Sequence, residues 1–105
     1  MIRATTPTIE FILPEGIYDN SKQILVTFKQ GDKIVFEKNK TDLVDATQEE
    51  ANKYKVHLTQ KETIMLDSSK SLKIQLRFLT NDDEAYVSNE KVMAVKDVLN
   101  DKEMK

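Results

Sequence analysis

The stretch Gln23-Ile24-Leu25-Val26-Thr27-Phe28-Lys29-Gln30-Gly31-Asp32-Lys33-Ile34-Val35-Phe36-Glu37-Lys38 reads as two strands joined by a tight reversal. Successive side chains of a strand point to opposite faces, so an apolar period of two marks a half-buried strand. Ile24, Val26 and Phe28 fall on one face, and Leu25, Thr27 and Lys29 on the other. Gln30-Gly31-Asp32 supplies turn chemistry, after which Ile34 and Phe36 continue the buried set. The pattern predicts an antiparallel hairpin with Leu25 and Val35 facing outward.

The same period extends in both directions. Ile9, Phe11 and Leu13 share a face in a strand from Thr8 to Leu13 that Pro14-Glu15-Gly16 ends. Tyr54, Val56 and Leu58 alternate with Lys55, His57 and Thr59. Leu72, Ile74, Leu76 and Phe78 form the strongest alternation, opposite Lys73, Gln75 and Arg77, and Asn81-Asp82-Asp83-Glu84 makes the next reversal. Short strands are expected around Leu43 and Val44, and one or two over Ala85–Ser88 and Lys91–Val95. Thr47-Gln48-Glu49-Glu50 and Thr59-Gln60-Lys61-Glu62 both match the capping box, in which the first and fourth residues satisfy each other's backbone donors. The first precedes a run too polar to bury a helical face, and reads as a loop or one turn. The second precedes Thr63-Ile64-Met65-Leu66, a helical turn that would carry Ile64 or Leu66 into the core.

The resulting fold expectation is all-β: an antiparallel β-sandwich of six to eight strands with at most one short helical turn. A chain of 105 residues forms a single domain over 1–105, with flexible ends at 1–6 and 100–105. It buries roughly two thirds of its unfolded surface, enough for one modest core. No repeat divides it.

Composition removes whole classes of function. With no Cys there is no disulfide scaffold, thiolate zinc site or thiol nucleophile. Two Gly leave no phosphate-cradling loop, and one His leaves no histidine-pair metal site. Sixteen basic side chains against eighteen acidic ones, for a net charge of -2, argue against nucleic acid as a partner. The longest apolar runs, Ile24-Leu25-Val26 and Ile64-Met65-Leu66, are far short of a membrane span, and Met1–Pro7 lacks the apolar core of a secretory signal. These features predict a non-enzymatic protein without cofactor or metal, made in the cytoplasm.

The remaining candidates are few. His57, the only imidazole, lies on the polar face of its strand and reads as a surface residue. Asn81-Asp82-Asp83-Glu84 offers the oxygen ligands calcium prefers, but without the spacing that wraps a cation. Asp42 and Asp45 are too isolated for paired-carboxylate chemistry. Phe11, Phe28, Phe36 and Phe78 all fall on inward faces, leaving Tyr18 and Tyr86 as the rings available to stack on a ligand. Ile12, Leu25, Val35 and Leu79 lie opposite the inward sets. They form either an apolar patch for a protein partner or the second covered face of buried strands.

The opening Met1-Ile2-Arg3-Ala4-Thr5-Thr6-Pro7-Thr8-Ile9-Glu10-Phe11 resembles a family of short proteins encoded in tailed phages and prophages of Gram-positive bacteria. Ile24-Leu25-Val26-Thr27-Phe28, Gly31-Asp32-Lys33, Val56–Thr63 and Leu72–Arg77 carry the resemblance further, and together they cover most of the chain. Asn100-Asp101-Lys102-Glu103 departs from the family's ending, with Lys102 where a Gly would stand. More distantly, the chain is similar to the immunoglobulin-like N-terminal domain of phage baseplate proteins. The resemblance implies an immunoglobulin-like structural or adaptor protein of a tail or baseplate region, present in the host cytoplasm when synthesised and able to enter the virion. Its partners would be other tail proteins or a second copy, with no nucleic acid and no membrane. Binding of a host cell-wall glycan through Tyr18 or Tyr86 is the alternative.

Overall fold

A computed structural model describes residues Met1–Lys105. Eight strands occur in the order β1 (Thr8–Ile12), β2 (Ser21–Gln30), β3 (Lys33–Asn39), β4 (Val44–Asp45), β5 (Lys53–His57), β6 (Leu72–Thr80), β7 (Ala85–Val87) and β8 (Lys91–Met93). They form two antiparallel sheets. The smaller has the order β1-β5-β4; the larger has the order β3-β2-β6-β7, with β8 also paired to β6. The inward sets of both sheets meet in one core: Ile9, Phe11, Tyr54 and Val56 from the smaller sheet, and Ile24, Val26, Phe28, Leu72, Ile74, Leu76 and Phe78 from the larger. The expected sandwich is therefore present.

The strand order is that of an immunoglobulin-type sandwich. With β1 to β6 as strands B, C, C′, D, E and F, and the β7–β8 line as G, the sheets are BED and C′CFG. In the complete arrangement strand A lies beside strand B. Here β1 is itself the edge of the smaller sheet.

Helix exceeds the single turn expected. The chain makes two short helices, α1 (Ile17–Asn20) and α2 (Gln60–Ile64), and a 3-10 turn at Lys40–Asp42. α2 begins at the capping box read from the sequence: Thr59 Oγ1 accepts the Glu62 N–H at 3.2 Å, and Glu62 Oε1 accepts the Thr59 N–H at 2.9 Å. Leu66 follows it into the core. Removing the cap by Thr59→Ala should cost about 1 kcal/mol of unfolding free energy, read from a urea titration, with the slope of the transition unchanged. At Thr47 the box does not form; the Thr47 N–H instead donates to Asp45 Oδ1, and a turn joins β4 to β5.

The alternation of β3 breaks at one residue. Phe28 faces Phe36 while Lys29 faces Ile34, so Val35 is a β-bulge. An extra residue inverts the faces beyond it. Phe36 stays on the inner side, stacked on Phe28 at 4.5 Å between centroids. Ile34, expected in the core, is 51% exposed, and Val35, expected outside, packs against the core.

Both ends of the chain make contacts with the body of the domain. Ile2 bridges Lys96 in parallel, and the Lys96 N–H donates to the Met1 carbonyl at 2.7 Å. The Arg3 guanidinium donates to the carbonyls of Leu66 and Ile64, both at 2.7 Å, and to Asp97 and Asp101 at 2.6 and 3.1 Å. Ala4 then reverses the chain in the left-handed region, at φ 60°. Further on, the Gln60 side-chain amide exchanges two hydrogen bonds with the backbone of Met104.

Candidate functional site

One edge strand of each sheet, β1 and β7, leaves half of its backbone unpaired beside a shared groove. In an antiparallel pair only alternate residues exchange hydrogen bonds with the neighbouring strand. The Leu13 N–H donates to the Asn52 carbonyl and the Leu58 N–H to the Pro7 carbonyl. The odd-numbered residues of β1 therefore bond to β5, and Glu10 and Ile12 direct their N–H and C=O groups away from it. On the other side, the Thr80 N–H donates to Glu84 and the Ser88 N–H to Leu76. Ala85 and Val87 of β7 then turn their backbone groups away from β6.

β7 and β8 act as one interrupted strand along β6. Arg77 faces Val87 and Ile74 faces Lys91, so three residues, Ser88 to Glu90, oppose the two residues Gln75 and Leu76. The Ser88 hydroxyl accepts the Leu76 N–H at 2.9 Å, and the Gln75 side chain donates to the Ser88 carbonyl at 3.0 Å. These contacts satisfy the ladder where the bulge breaks it.

The groove between β1 and the β7–β8 line has a volume of about 1090 Å³. Its walls include Phe11, Ile12, Tyr86 and Val87, and its floor reaches Leu76 and Phe78 of the core. Ile12, Tyr86 and Val87 are 58%, 50% and 61% exposed. Lys91 crosses one end: its Nζ donates to the Glu10 carbonyl at 3.1 Å and lies 5.7 Å from the centre of the Phe11 ring. A lysine over an unpaired strand edge is a common guard against edge-to-edge association. The other end is acidic, with Asp82 and Glu84 at the mouth. Glu84 accepts the Tyr86 hydroxyl, which holds that phenol above its ordinary pKa.

The sequence-derived contact residues do not form one surface. Leu25 and Leu79 are diagonal neighbours on the outer face of the larger sheet, and with Ala85 they line a shallow pocket of about 130 Å³. Ile12 belongs to the smaller sheet, at the rim of the groove. Val35 is removed from the set by the bulge, which turns it toward the core. The ligand-contact aromatics also separate. Tyr18 packs on the core, stacked on Tyr54 at 4.4 Å with the Lys40 ammonium 4.6 Å from its ring centre, so it is a packing residue and not a platform. Tyr86 is at the groove mouth. Its partner across the ladder is the buried Phe78, so it lies on the inner side of the sheet and gains exposure from the missing neighbouring strand.

Of the other candidates, His57 is exposed, with Nδ1 2.7 Å from Thr8 Oγ1. Asp83, in the β6–β7 turn, pairs with Lys22 of β2, and Asp42 caps the 3-10 turn through the Asn39 N–H at 2.8 Å. Hydrogen bonding from the Thr47 side chain, and then from its N–H, keeps the Asp45 carboxyl below the usual range. The groove itself was not legible in advance, because β1 and β7 read as ordinary alternating strands. No helix is long and apolar enough to cross a membrane. No protein-family model, curated protein or solved structure matches the chain.

Proposed function

We propose that the chain is a non-enzymatic structural or adaptor module of a phage or prophage tail or baseplate region, acting through protein–protein contacts at the groove. The observation that carries this reading is the pair of unpaired strand edges, on β1 and β7, flanking a groove with an apolar floor and mixed polar and apolar walls. Unpaired edges are templates for pairing with another chain, and rings and branched aliphatics exposed beside them supply apolar area for the contact. The phage setting is supported by the resemblance carried by Met1–Phe11 and the segments that follow it.

The test is association with assembled tails. The tagged chain should co-sediment with particles from an induced prophage, and Ile12→Asp with Val87→Asp should lower that recovery by about tenfold, since each places a charge at the contact. A chain that stays monomeric by light scattering and never enters the particle fraction would overturn the proposal.

The exposed Tyr86 ring, with Glu84 beside it, favours one second reading, a contact with host cell-wall glycan. Under the protein-contact reading, Tyr86→Ala leaves retention on purified cell walls unchanged. Retention by the native chain that disappears in this variant would favour the glycan.

A further inference from the structure

We propose that the groove accepts one extended strand from a second polypeptide, lying antiparallel to β1 and parallel to β7, in the position of the strand that the smaller sheet lacks. This rests on the contact-module reading and specifies the partner. The smaller sheet contains strands B, E and D, and β1 stands where strand B would pair with strand A. The backbone groups of Glu10 and Ile12 on one side, and of Ala85 and Val87 on the other, point away from their own sheets and are those an inserted backbone would bond, the Glu10 carbonyl after release by Lys91. Strand addition of this kind draws affinity from main-chain bonds and specificity from pockets for alternate side chains.

The chain itself fixes the direction. Ile2 runs parallel to Lys96, and the reversal at Ala4 then sends β1 back the other way. β1 is thus antiparallel to the β7–β8 line, and a strand continuing the course of Met1–Arg3 backward through the groove is parallel to β7. Its N-terminal end lies at Asp82 and Glu84, where β7 begins. Neither carboxylate has a cationic side chain within ion-pair distance, whereas the neighbouring Asp83 is held by Lys22. The guest strand should therefore begin with Arg or Lys and place apolar side chains at alternate positions, toward Leu76 and Phe78. Lys91, at present on the Glu10 carbonyl, gives up that acceptor to the guest backbone.

This chain's own tail does not fit that description. Asp101-Lys102-Glu103 is a continuous charged run where alternation is needed, and the tail is held elsewhere, by Arg3 at Asp101 and by Gln60 at Met104. The tail of a second copy is therefore not the occupant, and the guest is defined by its chemistry: a basic first residue followed by apolar side chains at alternate positions.

The experiment titrates the full chain with the synthetic peptide acetyl-Arg-Thr-Ile-Thr-Val-Thr-Ile-amide and follows amide hydrogen exchange by NMR. Binding should slow exchange at Glu10, Ile12, Ala85 and Val87 by about tenfold or more. N-methylation of alternate peptide amides should weaken binding by about tenfold, and Asp in place of the leading Arg by several-fold, through loss of charge complementarity. That second difference should vanish in the double variant Asp82→Asn, Glu84→Gln. Val87→Pro removes a free edge N–H while leaving the ladder to β6, and should also lower affinity. If this variant fails to fold, the N-methylated peptide still decides, because it alters the guest alone. Equal binding of plain and N-methylated peptides, or no protection at Glu10 and Ile12, overturns the inference. If partner cross-links then map to Leu25 and Leu79, the contact-module reading survives without strand insertion. If the peptide protects the groove but the chain never enters particles, the tail assignment fails and the strand site stands.

Discussion

Arg3→Ala should lower unfolding free energy by about 2–3 kcal/mol, a fall of about 10–20 °C in melting temperature for a domain of this size. One guanidinium joins three parts of the chain: it caps the carbonyls of Ile64 and Leu66 after α2, and it draws in Asp97 and Asp101 of the tail. Its side chain is only 13% exposed, so the two carbonyls are poorly placed to find water when it is removed. Lysine should rescue only part of the loss, because an ammonium lacks the planar fork that reaches carbonyls and carboxylates together. Calorimetry of the three proteins is the check. A fall of less than about 3 °C in the Ala variant would mean that solvent replaces the contacts.

The same site predicts a pH dependence. Hydrogen bonding from Arg3, with help from the Val98 N–H, holds the Asp97 carboxyl below its ordinary pKa. A carboxyl depressed in the folded state contributes stability that is fully present above its unfolded pKa of about 3.9 and is lost as pH falls through the lower folded value. The gap between native protein and Arg3→Ala should therefore be constant near neutrality and narrow below about pH 4. A gap that widened on acidification would contradict the assignment.

Gln30→Ala should cost about 2–4 kcal/mol in the same measurement, as a buried side chain and its hydrogen bonds are lost together. Gln30 ends β2 at 4% exposure. Its amide donates to the carbonyls of Asp67 and Lys70 at 2.8 and 3.0 Å and accepts the Asp67 N–H at 2.9 Å. These bonds fasten the turn between α2 and β6 to the central hairpin. Gln30→Met, which keeps the volume but not the hydrogen bonds, should recover less than half of the loss. Full recovery would show that packing alone decides, and that the turn finds other partners.

The two residues differ in what could be foreseen. Neither belongs to a local pattern: Gln30 reads as a turn residue, and Arg3 as one charge in a loose end. Their partners lie 37 to 40 and 61 to 98 positions away, respectively, so their roles exist only once the chain has folded. The Thr59 capping box, by contrast, spans four residues and was legible because donor and acceptor are neighbours in the chain. The cluster Ile12, Leu25, Val35 and Leu79 failed as a single face for a related reason. Period-two reasoning assigns a side within one strand, but not which sheet the strand joins or where a bulge inverts it.

The hairpin from Gln23 to Lys38 marks where local and tertiary information divide. Alternating polarity by itself determined that β2 and β6 are strands, which of their side chains are inward, and that the domain is an antiparallel sandwich, because burial of alternate residues is a local constraint. Tertiary structure alone decided the bulge at Val35, the anchoring by Gln30 and Arg3, and the open edge beside β1. A strand's sequence does not record whether its neighbour is present, since backbone hydrogen-bonding groups are the same in every residue but proline. The groove between β1 and β7 is set by which strands fail to meet.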